Sequence, residues 1–287
     1  MTDTHTPQSE PGEPTLRTSG EPDPRGPARR AESGKFETTM HPYGWYRRRI
    51  RLVNSELGLV RGGLEDDFHY FRLAVRHDGA IVTSIEVEAF RWPWTTCPDA
   101  GNQVQLLVGM PLSPRCLAVG DYANPRLQCT HQFDLSGLAI AHATREERVR
   151  QYDVEVPYGT GRDGSQDVHL WRDGELALTW TIDGVACVAP EPFASVPWRG
   201  GFLRWADEHL DPETAEAAIV LRRACDISFG RGANLEGVRV ASELGIAGSG
   251  VCYTFQEETA RVAFRQIGTI RDFDGRVDDL LAEGPHA

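Results

Sequence analysis

Three Asp-Gly dipeptides, Asp78-Gly79, Asp173-Gly174 and Asp183-Gly184, each stand between two runs of apolar and β-branched residues. Asp-Gly suits the centre of a tight hairpin, where positive φ is required, so each dipeptide predicts two adjacent antiparallel strands. The flanking residues agree. Ile81, Thr83, Ile85, Val87 and Ala89 alternate with Val82, Ser84, Glu86 and Glu88, the period of a strand with one wetter face. Read outward from the turns, the first half predicts strands near 46–53, 57–64, 68–75 and 80–90. The second half predicts strands near 153–158, 168–171, 175–182 and 185–188.

After each set of strands the period changes. Val104, Leu106, Leu107, Val108 and Met110 suit a short helix beginning near Pro98, and Thr130 is placed to cap another that Gly137 weakens. The run 145–150 reads as a solvated charged face. Two helices are expected near 201–210 and 212–229, the second opening Asp211-Pro212-Glu213 with a cap, a proline and an acid in its first turn. A strand over 251–255 and a helix over 260–270 complete the chain. The expected fold class is α+β: two antiparallel β-meanders, each followed by packing helices. Residues 1–38, rich in proline and polar residues, are expected to form a disordered tail. Behind it come a Cys/His-bearing half over 39–150 and a second half over 151–287, as two domains or one continuous domain.

Several function classes drop out on composition. Across 287 residues, 40% hydrophobic, there is no apolar run of about 18 residues and no apolar N-terminal core of a signal peptide, so a cytoplasmic protein is expected. A net charge of -12 disfavours nucleic acid and anionic membranes as partners. The sole lysine is Lys35, which removes Schiff-base, pyridoxal and Walker-type lysine chemistry from the folded part. Six cysteines without a CxxC pair argue for free thiols, with Cys187 and Cys225 in apolar core patterns. Gly159-Thr160-Gly161-Arg162-Asp163-Gly164 matches GxGxxG, but a strand follows it, so no helix N-terminus is there to hold a pyrophosphate and no nucleotide cofactor is expected. Neither a GxSxG elbow nor an HExxH pair occurs.

What survives is a cysteine–histidine group. Cys97 ends the fourth strand, and Cys129-Thr130-His131 begins a helix, where dipole and free N–H groups favour a thiolate. One expectation is a metal site of Cys97, Cys129, His131 and Asp67 for zinc or iron. The other is a thiolate site with Cys129 as nucleophile and His131 as base. Asp66 and His69 of the turn before the third strand are further ligand or base candidates, although such an acidic turn is more often merely solvated. Arg222, Arg223, Arg231 and Arg271 with Asp272 form either an anion pocket or structural ion pairs, the structural role being favoured. The alternative to a metal or thiolate site is a non-catalytic protein binding a small ligand or partner through Trp92, Trp94, Trp198, Phe202 and Trp205, residues that are as readily core. The expected partner is a small-molecule ligand or substrate, and a homo-oligomer is allowed.

Over 47–142, Arg48-Arg49-Ile50, the strand entry at 66–73, the Asp78-Gly79 hairpin, Cys97-Pro98 and Cys129-Thr130-His131 resemble the bacterial family called domain of unknown function 2889. That resemblance implies no activity. The order of acidic turn, strand, hairpin, strand, cysteine and helix-starting cysteine is also similar to iron–sulfur scaffold proteins of the NifU and SufE type. Cys97, Cys129 and Asp67 fall on the ligand places of that scaffold. The scaffold's first cysteine is missing and His131 follows the helix cysteine, so the similarity implies a mixed S/N/O site for zinc or iron.

Overall fold

The eight strands expected from the alternation form a single antiparallel sheet in the order β4-β3-β2-β1-β5-β6-β7-β8. The computed structural model describes residues 44–160 and 164–282. The tail over 1–38 and the centre of the GxGxxG match lie outside these residues. Strands β1 (Trp45–Glu56), β2 (Leu59–Asp66), β3 (Tyr70–His77) and β4 (Val82–Arg91) form one meander, and β5 (Val149–Pro157), β6 (Gln166–Arg172), β7 (Glu175–Asp183) and β8 (Ala186–Ala189) form the other. A ladder between β1 and β5, from Trp45 opposite Pro157 to Val53 opposite Val149, makes the sheet continuous across residue 150. At the β6–β7 turn Asp173 and Gly174 both take positive φ, 54° and 88°, as a primed hairpin requires.

Helix α1 (Thr130–His142) packs across β1 to β3, and α3 (Pro212–Ser228) across β5 to β7, with α2 (Phe202–His209) against α3. One apolar core runs beneath all of them, from Ile50, Leu52 and Leu64 through Tyr152 and Leu170 to Trp180. The fold is therefore α+β, and among the described residues no helix is long and apolar enough to cross a membrane. Asp211 caps α3 as its sequence implies, accepting the N–H groups of Glu213 and Thr214 at 3.1 and 3.0 Å.

Four expectations are corrected. Cys129, not Thr130, is the N-cap residue of α1, and the Thr130 hydroxyl instead donates to the Val251 carbonyl at 2.9 Å. The run 145–150 is not uniformly solvated. Arg145 and Arg150 turn inward to Glu216 and Glu213 of α3, while Glu146, Glu147 and Arg148 stay exposed. Residues 251–255 form a 3-10 turn over Tyr253–Phe255, because Cys252 and Phe255 pack into a small apolar cluster and not along a sheet edge. The helix expected over 260–270 is instead α4 (Glu257–Val262). The chain then extends so that Arg265, paired with Trp94 in an isolated bridge, can donate to the Pro93 carbonyl at 2.8 Å.

Candidate functional site

Alternation along β1 places Tyr46, Arg48, Ile50 and Leu52 on the buried face, which carries the cation of Arg48 into the core at 3% exposure. A buried guanidinium needs an acidic partner, and the register sets Asp66 of β2 directly opposite. Arg48 donates to Asp66 Oδ2 from Nε at 3.1 Å and from Nη2 at 2.6 Å, and the Tyr46 hydroxyl donates to the same oxygen at 2.8 Å. The other oxygen, Oδ1, accepts the backbone N–H groups of Phe68 and His69, both at 2.8 Å, which folds the turn between β2 and β3. Arg91 of β4 fastens that turn from behind, donating to the carbonyls of Asp66, Asp67 and His69 at 2.6, 3.0 and 3.2 Å.

This turn fixes two imidazoles. His69 Nδ1 lies 3.0 Å from Asp66 Oδ1. Burial alone pushes the Asp66 carboxyl up, but His69 and Arg48 overcome it and hold the group well below the ordinary 3.8. The carboxylate is thus ionised and acceptor-only, so Nδ1 of His69 carries the proton and Nε2 keeps its lone pair. His131, from the first turn of α1, stacks on His69 with ring centroids 3.7 Å apart and planes inclined 28°. Its Nε2 is 3.2 Å from Arg48 Nη2. A guanidinium only donates, so His131 accepts there and its proton is on Nδ1. Burial lowers both imidazoles below the ordinary 6.5; Asp66 opposes the shift at both, next in weight to burial at His69 but behind the added push of His69 and Arg48 at His131. Both rings are neutral at physiological pH.

The two histidines form part of the wall of a cavity of about 660 Å³, together with Cys97, Cys129, Cys252, Trp94, Phe133, Phe255 and the side chains of Arg199, Arg222 and Arg223. Cys97, Cys129 and His131 therefore do come to one cavity, but not as a dyad or a ligand set. Cys129, the extended N-cap residue, packs in the apolar cluster of Phe71, Trp94, Cys97 and Phe255, while His131, in the first turn of α1, turns to Arg48 and His69. Burial pushes the Cys97 thiol up to about 12 and the Cys129 thiol well above the ordinary 9.0, against the pull of the N–H groups of Gln132 and His131. The expected thiolate is thus disfavoured. Asp67 stands apart as well, its Oδ2 taken by Arg231 in a fully buried pair.

Among the described residues, the candidate ligand group is Asp66, His69 and His131, with donor atoms all within 4.8 Å of one another. Arg48 and Tyr46, which complete this group, were not among the sequence candidates. The available signal was parity: Arg48 falls between Tyr46 and Ile50 on a strand whose even-numbered residues face inward. Of the arginines weighed in the second half, Arg222 and Arg223 line the cavity, whereas Arg231 and Arg271 hold the Asp67 turn, Arg271 donating its backbone N–H to the Asp67 carbonyl at 2.8 Å. The tryptophan patch divides. Trp198, Phe202 and Trp205 surround Trp180 and Phe193, and only Trp94 of the five reaches the cavity.

Acid should weaken the fold through this cluster. A histidine whose folded pKa is depressed stabilises the fold above the unfolded value near 6.5, and that contribution is lost as pH falls, because the unfolded chain takes up the proton first. Asp66 has the same sign below 3.8. Asp67 has the opposite sign, since burial pushes it up to about 7 against the pull of Arg231. The urea midpoint is therefore expected to drop between about pH 7.5 and pH 5.5 by more in the native protein than in a His69→Gln, His131→Gln double variant. Equal drops would show that these rings titrate alike folded and unfolded.

No family model matches the chain, and neither a curated protein nor a solved structure matches it.

Proposed function

We propose that this chain is an enzyme of small-molecule metabolism in which His69 is the general base. One observation carries the reading: every acceptor position of Asp66 is spent on orienting its neighbours, the Nδ1–H of His69 included. A buried carboxylate that fixes an imidazole's tautomer leaves the opposite nitrogen as a directed lone pair. On His69 that nitrogen, Nε2, has no protein hydrogen-bond partner among the described residues, and the ring lines the cavity. His131, stacked alongside and protonated on Nδ1, supplies a neutral donor next to the base. The reaction class is proton abstraction from a molecule bound in the cavity. Arg48, Asp66, His69 and His131 all fall within 47–142, the span that resembles domain of unknown function 2889, and the cluster is proposed as what that span has in common with the family.

A second reading is a zinc or iron ion held by Asp66, His69 and His131, favoured by the closeness of the three donor atoms. Against it, Arg48 Nη2 already places a cation 2.6 Å from Asp66 Oδ2 and 3.2 Å from His131 Nε2, so an ion taking those two atoms must displace the guanidinium.

Nitrogen-15 NMR of the imidazoles tests the first reading. Both rings are expected neutral with the proton on Nδ1 at neutral pH, and His69 is expected to lose that tautomer preference in Asp66→Asn. A His69 protonated at both nitrogens near pH 7 would remove the general base. Elemental analysis of anaerobically purified protein decides the second: near-stoichiometric zinc or iron, lost in His69→Ala and in His131→Ala, would replace the acid–base reading with a metal centre.

A further inference from the structure

The polar groups of the cavity are unevenly neutralised. Four guanidiniums line it, those of Arg126, Arg199, Arg222 and Arg223, against two carboxylates, Asp134 and Asp226. Both carboxylates are already engaged, Asp134 by Arg223 at 2.8 Å and Asp226 by Arg222 at 3.1 Å. Asp226 also accepts the Trp198 indole N–H at 2.9 Å. Arg126 and Arg199, both exposed at the rim, have no ion-pair partner among the described residues. Arg222, only 8% exposed, has an Nη1 without a hydrogen bond of its own, because the nearby Asp226 oxygen lies out of line. The histidines and thiols on the wall bring no charge, so the lining is net positive in a chain whose net charge is -12. The same wall carries apolar and aromatic side chains, with Trp94 and Phe255 meeting edge to face at 6.1 Å.

We propose that the cavity takes a small amphipathic organic acid, its carboxylate held by Arg199 and Arg126 and its apolar body lying against Trp94, Phe133 and Phe255. This rests on the reading above that the cavity is where the substrate binds, and adds the substrate's chemical class. The size fits: about 660 Å³ is within the roughly 300–1,000 Å³ of small-molecule sites, which are mostly apolar with a few polar anchors. Guanidiniums are well matched to carboxylates through paired N–H donors. An amine is repelled by the same wall, and a neutral alcohol of the same length brings no charge to pair with the guanidiniums.

Calorimetric titration of the full chain with octanoate, phenylbutyrate and indoleacetate, against octanol, octylamine and inorganic phosphate, tests this. At least one of the carboxylates is expected to bind, more tightly than octanol, octylamine and phosphate do. In an Arg126→Gln, Arg199→Gln variant its affinity is expected to fall about tenfold or more, equivalent to about 1.4 kcal/mol, with an unchanged urea midpoint. The His69 and His131 NMR signals are expected to shift on binding. Octanol binding as tightly as octanoate, carboxylate affinity unaffected in the double variant, phosphate binding as tightly as any of the three acids, or no binding by any of them would each overturn the inference. The outcomes separate from those of the previous test: neutral, Asp66-oriented imidazoles without carboxylate binding sink only the ligand class. Carboxylate binding with His69 doubly protonated sinks only the general base.

Discussion

Replacing Asp66 by alanine is expected to cost about 3–5 kcal/mol, a large share of a total stability on the order of 5–15 kcal/mol. The cost does not come from the loss of attraction alone. Asp66 is fully buried, and removing its carboxylate strands the Arg48 guanidinium, 3% exposed, without a counter-charge while also releasing the N–H groups of Phe68 and His69 that fold the turn. Leaving a buried charge unpaired is far worse than never burying the pair. An Arg48→Met, Asp66→Leu double variant is therefore expected to be more stable than Asp66→Ala, although it carries one more substitution. Urea unfolding of the three proteins checks this. An Asp66→Ala midpoint within about 0.5 kcal/mol of the native protein would show that the network contributes nothing.

The parts of the fold governed by short-range chemistry were legible in the chain. Asp-Gly favours a tight turn largely through its own backbone preferences, and Asp211-Pro212-Glu213 caps a helix by local hydrogen bonds, so the strands flanking such turns and α3 follow from their own residues. The candidate site was legible only in part, because its members are defined by partners far along the chain. Asp66-Asp67-Phe68-His69 has the composition of a solvated turn, and what buries it is Arg48, Arg91 and Arg231, arriving from β1, β4 and the end of α3. Cys129-Thr130-His131 suggested a thiol–imidazole pair because the residues are close in sequence, yet Cys129 packs beside Trp94 and Cys97 while His131 packs on Arg48 and His69. The alternation of β1 held the missing clue. An arginine at an inward position of a strand demands a buried acid, and the strand paired with it is where to look.

Gly137 is the other position with a large expected effect, and for a reason its helix does not reveal. By propensity alone, alanine in the middle of α1 should stabilise by about 1 kcal/mol. A Cβ at this position, however, would run into the backbone carbonyl oxygen of Cys116 and lie 3.3 Å from a Val119 methyl. These belong to the 3-10 turn Cys116–Asp121, and a carbonyl cannot swing aside as the end of a side chain can. Overpacking of this kind costs about 1–3 kcal/mol and at times more. Against the propensity gain, and because the obstacle is backbone, Gly137→Ala is expected to destabilise by up to about 2 kcal/mol net. The strain should also reach the site, because α1 carries His131 and relief requires the helix to move off the turn that presses on it. The imidazole stack of His131 on His69, 3.7 Å between centroids, and the Arg48 hydrogen bond beneath it are set by the position of α1. Gly137→Ala should therefore lower the urea midpoint and shift the nitrogen-15 signals of both histidines, whereas Gly79→Ala, at a hairpin turn where a Cβ meets nothing within 4 Å, should leave those signals in place. A Gly137→Ala protein as stable as the native one, with unchanged imidazole signals, would mean that the turn yields and that the packing of α1 does not position the base.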